Sequence, residues 1–236
     1  MAFRLSAPYG AAGCGLAEPY RVAVYYAPEA DDPLWRAGCA WLGCEPETDE
    51  SLEQPVHTRL SENTAEPRRY GFHATLKAPM ALRFGLGAFL QSATVFAARQ
   101  RSFLLPRLEV TSLHGFLALC PAEASPELTH LAAACVTELD PHRLPEDAAA
   151  QTKRAAGRSA KQAAYIARWG YPLVLDEFHF HMTLTGKMED NPYTAAATAH
   201  FKPALAQARL VKQLAIFTQN EKDAPFRLFR RLSFTG

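Results

Sequence analysis

The pentapeptide Phe-His-x-Thr-Leu occurs twice in this chain, at Phe72-His73-Ala74-Thr75-Leu76 and at Phe180-His181-Met182-Thr183-Leu184. Around each copy the same order of elements is legible. Strand, helix, strand and strand patterns begin near residues 72, 86, 103 and 115, and again near 180, 192, 210 and 226. A duplicated unit predicts an α+β protein: two pseudo-symmetric lobes of mostly antiparallel sheet, helices on their outer faces, and a cleft between them. Strand side chains alternate, so each copy puts His and Thr on one face and Phe and Leu on the other. Lobes packed sheet face toward sheet face would bring two imidazoles and two hydroxyls together.

The remaining pattern fills in around the repeat. Residues 20–27 are β-rich and predict a strand. Asp32-Pro33 is a helix start, with the helix running to about Leu42. Residues 46–67 predict a long polar loop with room for a short helix. Strands are expected at 71–77, 103–111, 115–120, 178–185, 209–218 and 226–234, and helices at 85–101 and 192–208. Ser125-Pro126-Glu127 opens a further helix, and 146–169 favours one helix or two. Residues 1–19 are expected to be a loose tail. Residues 20–236 then form one bilobal domain, with lobes of roughly 20–120 and 121–236.

Composition bounds the function. Hydrophobic residues make up 48% and charged residues 21%, which suits a chain with a real core. A formal net charge of +1 argues against a broad basic surface and hence against extended nucleic acid as partner. The five cysteines, Cys14, Cys39, Cys44, Cys120 and Cys135, are odd in number and include no C-x-x-C pair. A reduced chain in the cytoplasm is the simpler reading. No run of 18 apolar residues is present to span a membrane, and the first 19 residues lack the apolar stretch of a secretory signal.

The paired motif suits cleavage of a small phosphodiester. Histidine titrates near neutrality, so one ring can take a proton while the other gives one at the same pH. His73 and His181 are the candidate acid–base pair. Thr75 and Thr183 are candidate donors to the non-bridging phosphate oxygens, where charge builds in the transition state. Such a site needs no metal and no cofactor. Lys77 falls on the same strand face by alternation and is a candidate phosphate ligand. Arg69 and Tyr70, just before the first motif, are candidates to line the cleft, as are Tyr25 and Phe217 from other strands. His179 lies two residues before His181. A His-x-His pair can hold zinc, but no carboxylate pattern supports it here, so His179 is read as a substrate-side or packed group. The basic run Lys153-Arg154…Arg158…Lys161 reads as a solvated helix face.

The paired His-x-Thr motif and the repeat resemble the two-histidine (2H) phosphoesterase superfamily, which includes RNA 2′,3′-cyclic phosphodiesterases and 2′-5′ RNA ligase-like proteins. The chain is more closely similar to a branch of bacterial proteins encoded among genes for phosphonate breakdown. The segments carrying this are Val24-Tyr25-Tyr26-Ala27-Pro28, Trp41-Leu42-Gly43, Arg69-Tyr70-Gly71-Phe72-His73-Ala74-Thr75-Leu76-Lys77-Ala78-Pro79, Gly115-Phe116-Leu117-Ala118-Leu119 and Phe180-His181-Met182-Thr183-Leu184-Thr185-Gly186. The resemblance implies metal-independent hydrolysis of a cyclic phosphodiester. In the phosphonate branch it implies phosphoribosyl 1,2-cyclic phosphate as substrate. An RNA-end enzyme and a nucleotide- or phosphate-binding module without turnover stand as the alternatives.

Overall fold

The structure is a computed structural model that describes residues 17–188 and 190–236. Most of the expected tail lies outside these residues. Within it, the Glu18 carboxylate is ordered against a helix start, accepting from Leu86 N at 2.9 and 3.1 Å.

The elements run in chain order. Strand β1 is Arg21–Tyr26 and helix α1 is Pro33–Leu42. The span expected to be a polar loop holds a short hairpin, β2 (Cys44–Glu45) and β3 (Glu50–Ser51), and two single-turn helices, α2 (Leu60–Asn63) and α3 (Ala65–Arg68). Strand β4 (Ala74–Met80) and helix α4 (Gly85–Ala98) come next. Pro106 breaks the expected strand at 103–111 into β5 (Phe103–Leu104) and β6 (Leu108–Leu113). Strand β7 (Phe116–Pro121) precedes helices α5 (Pro126–Leu139), α6 (Ala148–Ala155) and α7 (Ala160–Trp169). Strand β8 is only Met182–Thr183; the rest of the expected strand at 178–185 is irregular. Helix α8 (Thr194–Leu205) and strands β9 (Leu210–Val211), β10 (Gln213–Gln219) and β11 (Arg227–Ser233) end the chain.

Local chemistry explains the helix starts. Asp32 accepts from Leu34 N and Ser125 from Leu128 N, each just ahead of a proline whose missing N–H costs nothing in the first turn. Gly43 closes α1 in the left-handed conformation at φ 77°.

Seven strands form one antiparallel sheet, ordered β11-β10-β1-β4-β8-β7-β6. The α+β class and the antiparallel sheet are as expected, but the halves are joined differently. They meet edge to edge through β4 and β8 rather than face to face. They also exchange strands. The first strand of the first repeat, β4, sits beside β1, β10 and β11, while the first strand of the second repeat, β8, sits beside β7 and β6. The helices go with the exchange, α4 packing on β11 and α8 on β6. Lobes divided at residue 120 therefore do not match the spatial halves, because each half of the sheet takes strands from both repeats.

Helices α1, α4, α5 and α8 cover one sheet face. Phe72, Ala74 and Met182 point into that layer and are fully buried. The first of these needs room: a Cβ on Gly38 in α1 would lie 2.1 Å from the Phe72 ring. The other face is left to the site.

Candidate active site

The pairing Ala74↔Met182 positions the motifs. Its antiparallel register sets His73 beside Thr183 and Thr75 beside His181, on the face opposite Ala74 and Met182. The two histidines are thus diagonal neighbours, with Cα positions separated by about 7–8 Å as such neighbours are. Two imidazoles and two hydroxyls occupy the corners of a cross-strand square whose pseudo-two-fold axis passes between Ala74 and Met182.

Both rings are oriented alike. His73 Nδ1 is 2.9 Å from the Gly71 carbonyl, and His181 Nδ1 is 2.7 Å from the His179 carbonyl. A carbonyl accepts, so each Nδ1 carries the proton and each neutral ring offers an Nε2 lone pair to the cleft. The Thr75 hydroxyl, 3.3 Å from His73 Nε2, then donates to it. Gly71 presents its carbonyl from φ 76°, and a Cβ there would meet the Pro46 and Phe217 side chains.

Burial governs the electrostatics. Removal from water holds the His73 pKa down, from 6.5 to about 4, with the His181 ring adding to the effect and the Gly71 carbonyl opposing it. His181 is also held below its ordinary value, first by burial and then by the nearby His179 and His114 rings. Tyr25 stacks on His73 with ring centroids 3.7 Å apart, and burial pushes its phenol well above the ordinary range, so it stays neutral. Phe116 flanks His181 at 5.8 Å. The cleft holds about 770 Å³, the size of a small-molecule site. Its lining includes the square, Tyr25, Tyr70, Tyr171, Arg21, Arg154 and Lys187, with Glu62 and Glu66 from α2 and α3. Among the described residues no group of three or more His, Cys, Asp or Glu side chains is placed to hold a metal ion, and no helix is long and apolar enough to cross a membrane.

Residues 75–227 match the family described as "Protein of unknown function (DUF1045)", well over half of the chain. The chain belongs to the DUF1045 family. It is 39% identical over 231 residues to the ribose 1,5-bisphosphate phosphokinase PhnN of Janthinobacterium sp. (strain Marseille), covering 92% of this chain and 51% of that one. A protein of the same name from Laribacter hongkongensis (strain HLHK9) is 38% identical over 221 residues, covering 89% and 51%. This DUF1045 chain thus spans about half the length of the curated relatives it matches. Among solved structures, E. coli LigT complexed with phosphate is 14% identical, covering 93% of this chain and all of that one at a TM-score of 0.42. E. coli LigT with 3′-AMP is 16% identical, with the same coverage and a TM-score of 0.43.

The DUF1045 fold gathers His73, His181, Thr75, Thr183, Tyr25 and Tyr70 around one cleft and leaves other expected residues outside it. Lys77 is turned away. Thr75 pairs with Tyr25 but Lys77 pairs with Val24, so two residues of β4 advance for one of β1. This bulge reverses the alternation after Thr75. The Lys77 ammonium is buried against α5 instead, donating to Val136 O at 3.0 Å and to Asp140 Oδ1 at 3.2 Å. Arg69 is exposed and is not among the residues lining the cleft, its Nη2 donating to Asp223 O at 3.0 Å. Phe217 is fully buried beneath Tyr25, with centroids 5.0 Å apart, and has no surface left to offer a substrate. The His179 ring is exposed outside the main cleft, and its backbone carbonyl is the part that acts, by orienting His181. Conversely, Arg154 belongs by sequence pattern to a solvated helix face, yet it lines the cleft. So do Arg21 and Tyr171, and only the alternation Arg21, Ala23, Tyr25 on β1 hints at the first.

Proposed function

We propose that this protein is a metal-independent two-histidine phosphoesterase that hydrolyses a small cyclic phosphodiester. The observation that carries the reading is the square: two Nε2 atoms from pseudo-symmetric strands, each ring locked through Nδ1 by a carbonyl, with a threonine hydroxyl beside each. Before substrate binds, both rings are neutral. A bound phosphodiester anion between them raises both pKa values, so one ring takes up a proton while the other stays basic. The basic ring removes a proton from water as the water oxygen bonds to phosphorus. The ring P–O bond breaks, and the protonated ring gives its proton to the departing oxygen. Thr75 and Thr183 donate to the non-bridging oxygens. The product is a phosphomonoester with a free hydroxyl.

The substrate we favour is phosphoribosyl 1,2-cyclic phosphate. The relatives' names concern a ribose carrying two phosphates, and opening this ring gives such a compound: the 1,5-bisphosphate if the bond to O2 breaks, the 2,5-bisphosphate if the bond to O1 breaks. The 236 residues contain no G-x-x-x-x-G-K-S/T run of the kind that cradles nucleotide phosphates. We therefore assign the phosphokinase name to the part of the relatives that this chain does not span. A reducing, cytoplasmic setting fits the free thiols of Cys39, Cys44, Cys120 and Cys135.

The test is hydrolysis, in EDTA, of nucleoside 2′,3′-cyclic phosphates and phosphoribosyl 1,2-cyclic phosphate by the wild type, His73→Ala and His181→Ala. Turnover of the cyclic sugar phosphate that is lost in both variants is the expected result. Preference for the nucleoside substrates would move the protein to RNA ends. Tight binding with no turnover would make it a phosphate-binding module.

A further inference from the structure

The cleft continues from the histidines toward the start of β1. Arg21, Ala23 and Tyr25 share the cleft face of that strand, and Tyr25 is the residue stacked on His73. Four residues of strand place the Arg21 Cα about 13 Å from that of Tyr25. The Arg21 side chain is well positioned. Its Nε donates to Gln219 Oε1 at 2.7 Å, and Gln219, itself buried, is locked by donating from Nε2 to Ala224 O at 2.7 Å. The guanidinium lies 5.5 Å from the Phe226 ring, on which Tyr70 also stacks at 5.3 Å. Gln219 is neutral, so its hydrogen bond orients the Arg21 charge without neutralising it, and the terminal nitrogens remain for a ligand.

A second cation reaches the cleft from outside the duplicated unit. Helices α6 and α7 lie between the two repeats and belong to neither. They bring Arg154 and Tyr171 to the cleft lining. Arg154 gives one terminal nitrogen to Glu146 at 2.6 Å, which leaves most of its N–H donors unused. Glu62 and Glu66 line the same cleft, so its charge is not uniformly basic. An extended polyanion would meet these carboxylates, which favours a compact ligand with a second, localised anionic group.

We propose that Arg21, together with Arg154, forms a second anion subsite that holds a phosphomonoester on the same small molecule whose phosphodiester sits between His73 and His181. The inference rests on the phosphodiesterase reading and sets its specificity: the enzyme selects a cyclic phosphate that carries a further phosphate at a distance.

The experiment compares phosphoribosyl 1,2-cyclic phosphate with ribosyl 1,2-cyclic phosphate, which lacks the remote phosphate. The wild type is expected to favour the phosphorylated substrate by about 10–100-fold in kcat/KM, the size of one or two charge-assisted hydrogen bonds. Arg21→Gln cuts that ratio about tenfold, chiefly through KM, Arg154→Gln cuts it less, and Arg21→Lys restores part of it. A wild type without preference, or Arg21→Gln with the wild-type ratio, overturns the subsite. Should neither compound be hydrolysed, the phosphodiesterase reading fails, and calorimetric titration with ribose 5-phosphate decides the subsite by itself. Binding by the wild type that is weakened in folded Arg21→Gln supports it, and equal or absent binding overturns it. Thermal unfolding checks each variant. If Arg21→Gln does not fold, Arg154→Gln and Arg21→Lys carry both arms.

Discussion

The two half-sites carry the same five-residue motif but are held in different ways. His73 precedes a seven-residue strand that lies between β1 and β8, and its ring is covered by Tyr25. His181 precedes a two-residue strand. The segment after that strand, from Leu184 to Gly186, is clamped by individual groups instead. Trp41 Nε1 donates to Leu184 O at 3.0 Å, Asn191 Nδ2 donates to Thr185 Oγ1 at 2.9 Å, and the same Thr185 oxygen accepts from Leu117 N at 3.0 Å. Gly186 N donates to Asn63 O at 2.7 Å. A long ladder fixes one half, and a two-residue ladder with a set of separate clamps fixes the other, yet both rings end with Nδ1 on a carbonyl two residues upstream. What must be symmetric for acid–base chemistry is the pair of Nε2 atoms, and the fold reaches that symmetry by unlike means.

If the halves are chemically equivalent, removing either ring is equally harmful. His73→Ala and His181→Ala are each expected to lower kcat by about 10²–10⁴-fold, the usual share of general acid–base catalysis. A loss confined to one variant, in steady-state assays of folded protein, would break the comparison. Smaller and unequal effects are expected at the hydroxyls. Thr75→Val removes the proposed phosphate donor and also the hydrogen bond to His73 Nε2, whereas no such bond ties Thr183 to His181 among the described residues. Each substitution costs up to about 100-fold in kcat, with Thr75→Val the worse. The reverse order would show that the Thr75–His73 contact is incidental.

How much of the molecule is legible in its sequence depends on range. The duplicated motif, the Asp32 and Ser125 caps and the alternation that pairs His73 with Thr75 depend on neighbours a few residues away, and they read off directly. Lys77 misleads because a bulge is set by the partner strand, β1, which alternation within β4 cannot register. The exchange of strands between the repeats is a choice among pairings that look alike in sequence. Arg154 sits on a helix with no buried residue, so nothing in its pattern distinguishes a cleft wall from a solvated face. Arg21 rather than Arg69 reaches the cleft for a similar reason: adjacency to the motif is a weaker guide than a shared strand face.

The asymmetry in cover has a pH signature. Because burial holds His73 at about 4 in the folded chain while the unfolded chain keeps 6.5, the unfolded state takes up a proton first as pH falls. Folding stability attributable to this ring is whole above about pH 6.5 and is lost down to about pH 4, by up to about 3 kcal/mol. His73→Gln should remove that part of the acid loss. Urea unfolding at pH 7 and pH 4.5 measures it, and parallel losses in wild type and variant would mean that the ring is not shielded as its stacking on Tyr25 indicates.

The smallest effect on activity is expected on the other side of the sheet. Lys77 neighbours the motif in sequence but is separated from the cleft by the sheet itself, and its ammonium is tied to Asp140. That carboxylate also accepts from Arg143 at 2.8 Å and pairs with Arg168 at 3.3 Å. Burial opposes its ionisation, but Arg143 and Lys77 hold it below the usual carboxylate range. Lys77→Met should leave kcat within about twofold of wild type and lower stability by about 1–3 kcal/mol, because the two arginines still compensate the buried charge. A full loss of turnover in a folded Lys77→Met protein would return this lysine to the cleft. It would also show that the bulge after Thr75 does not separate the proposed catalytic face from the structural one.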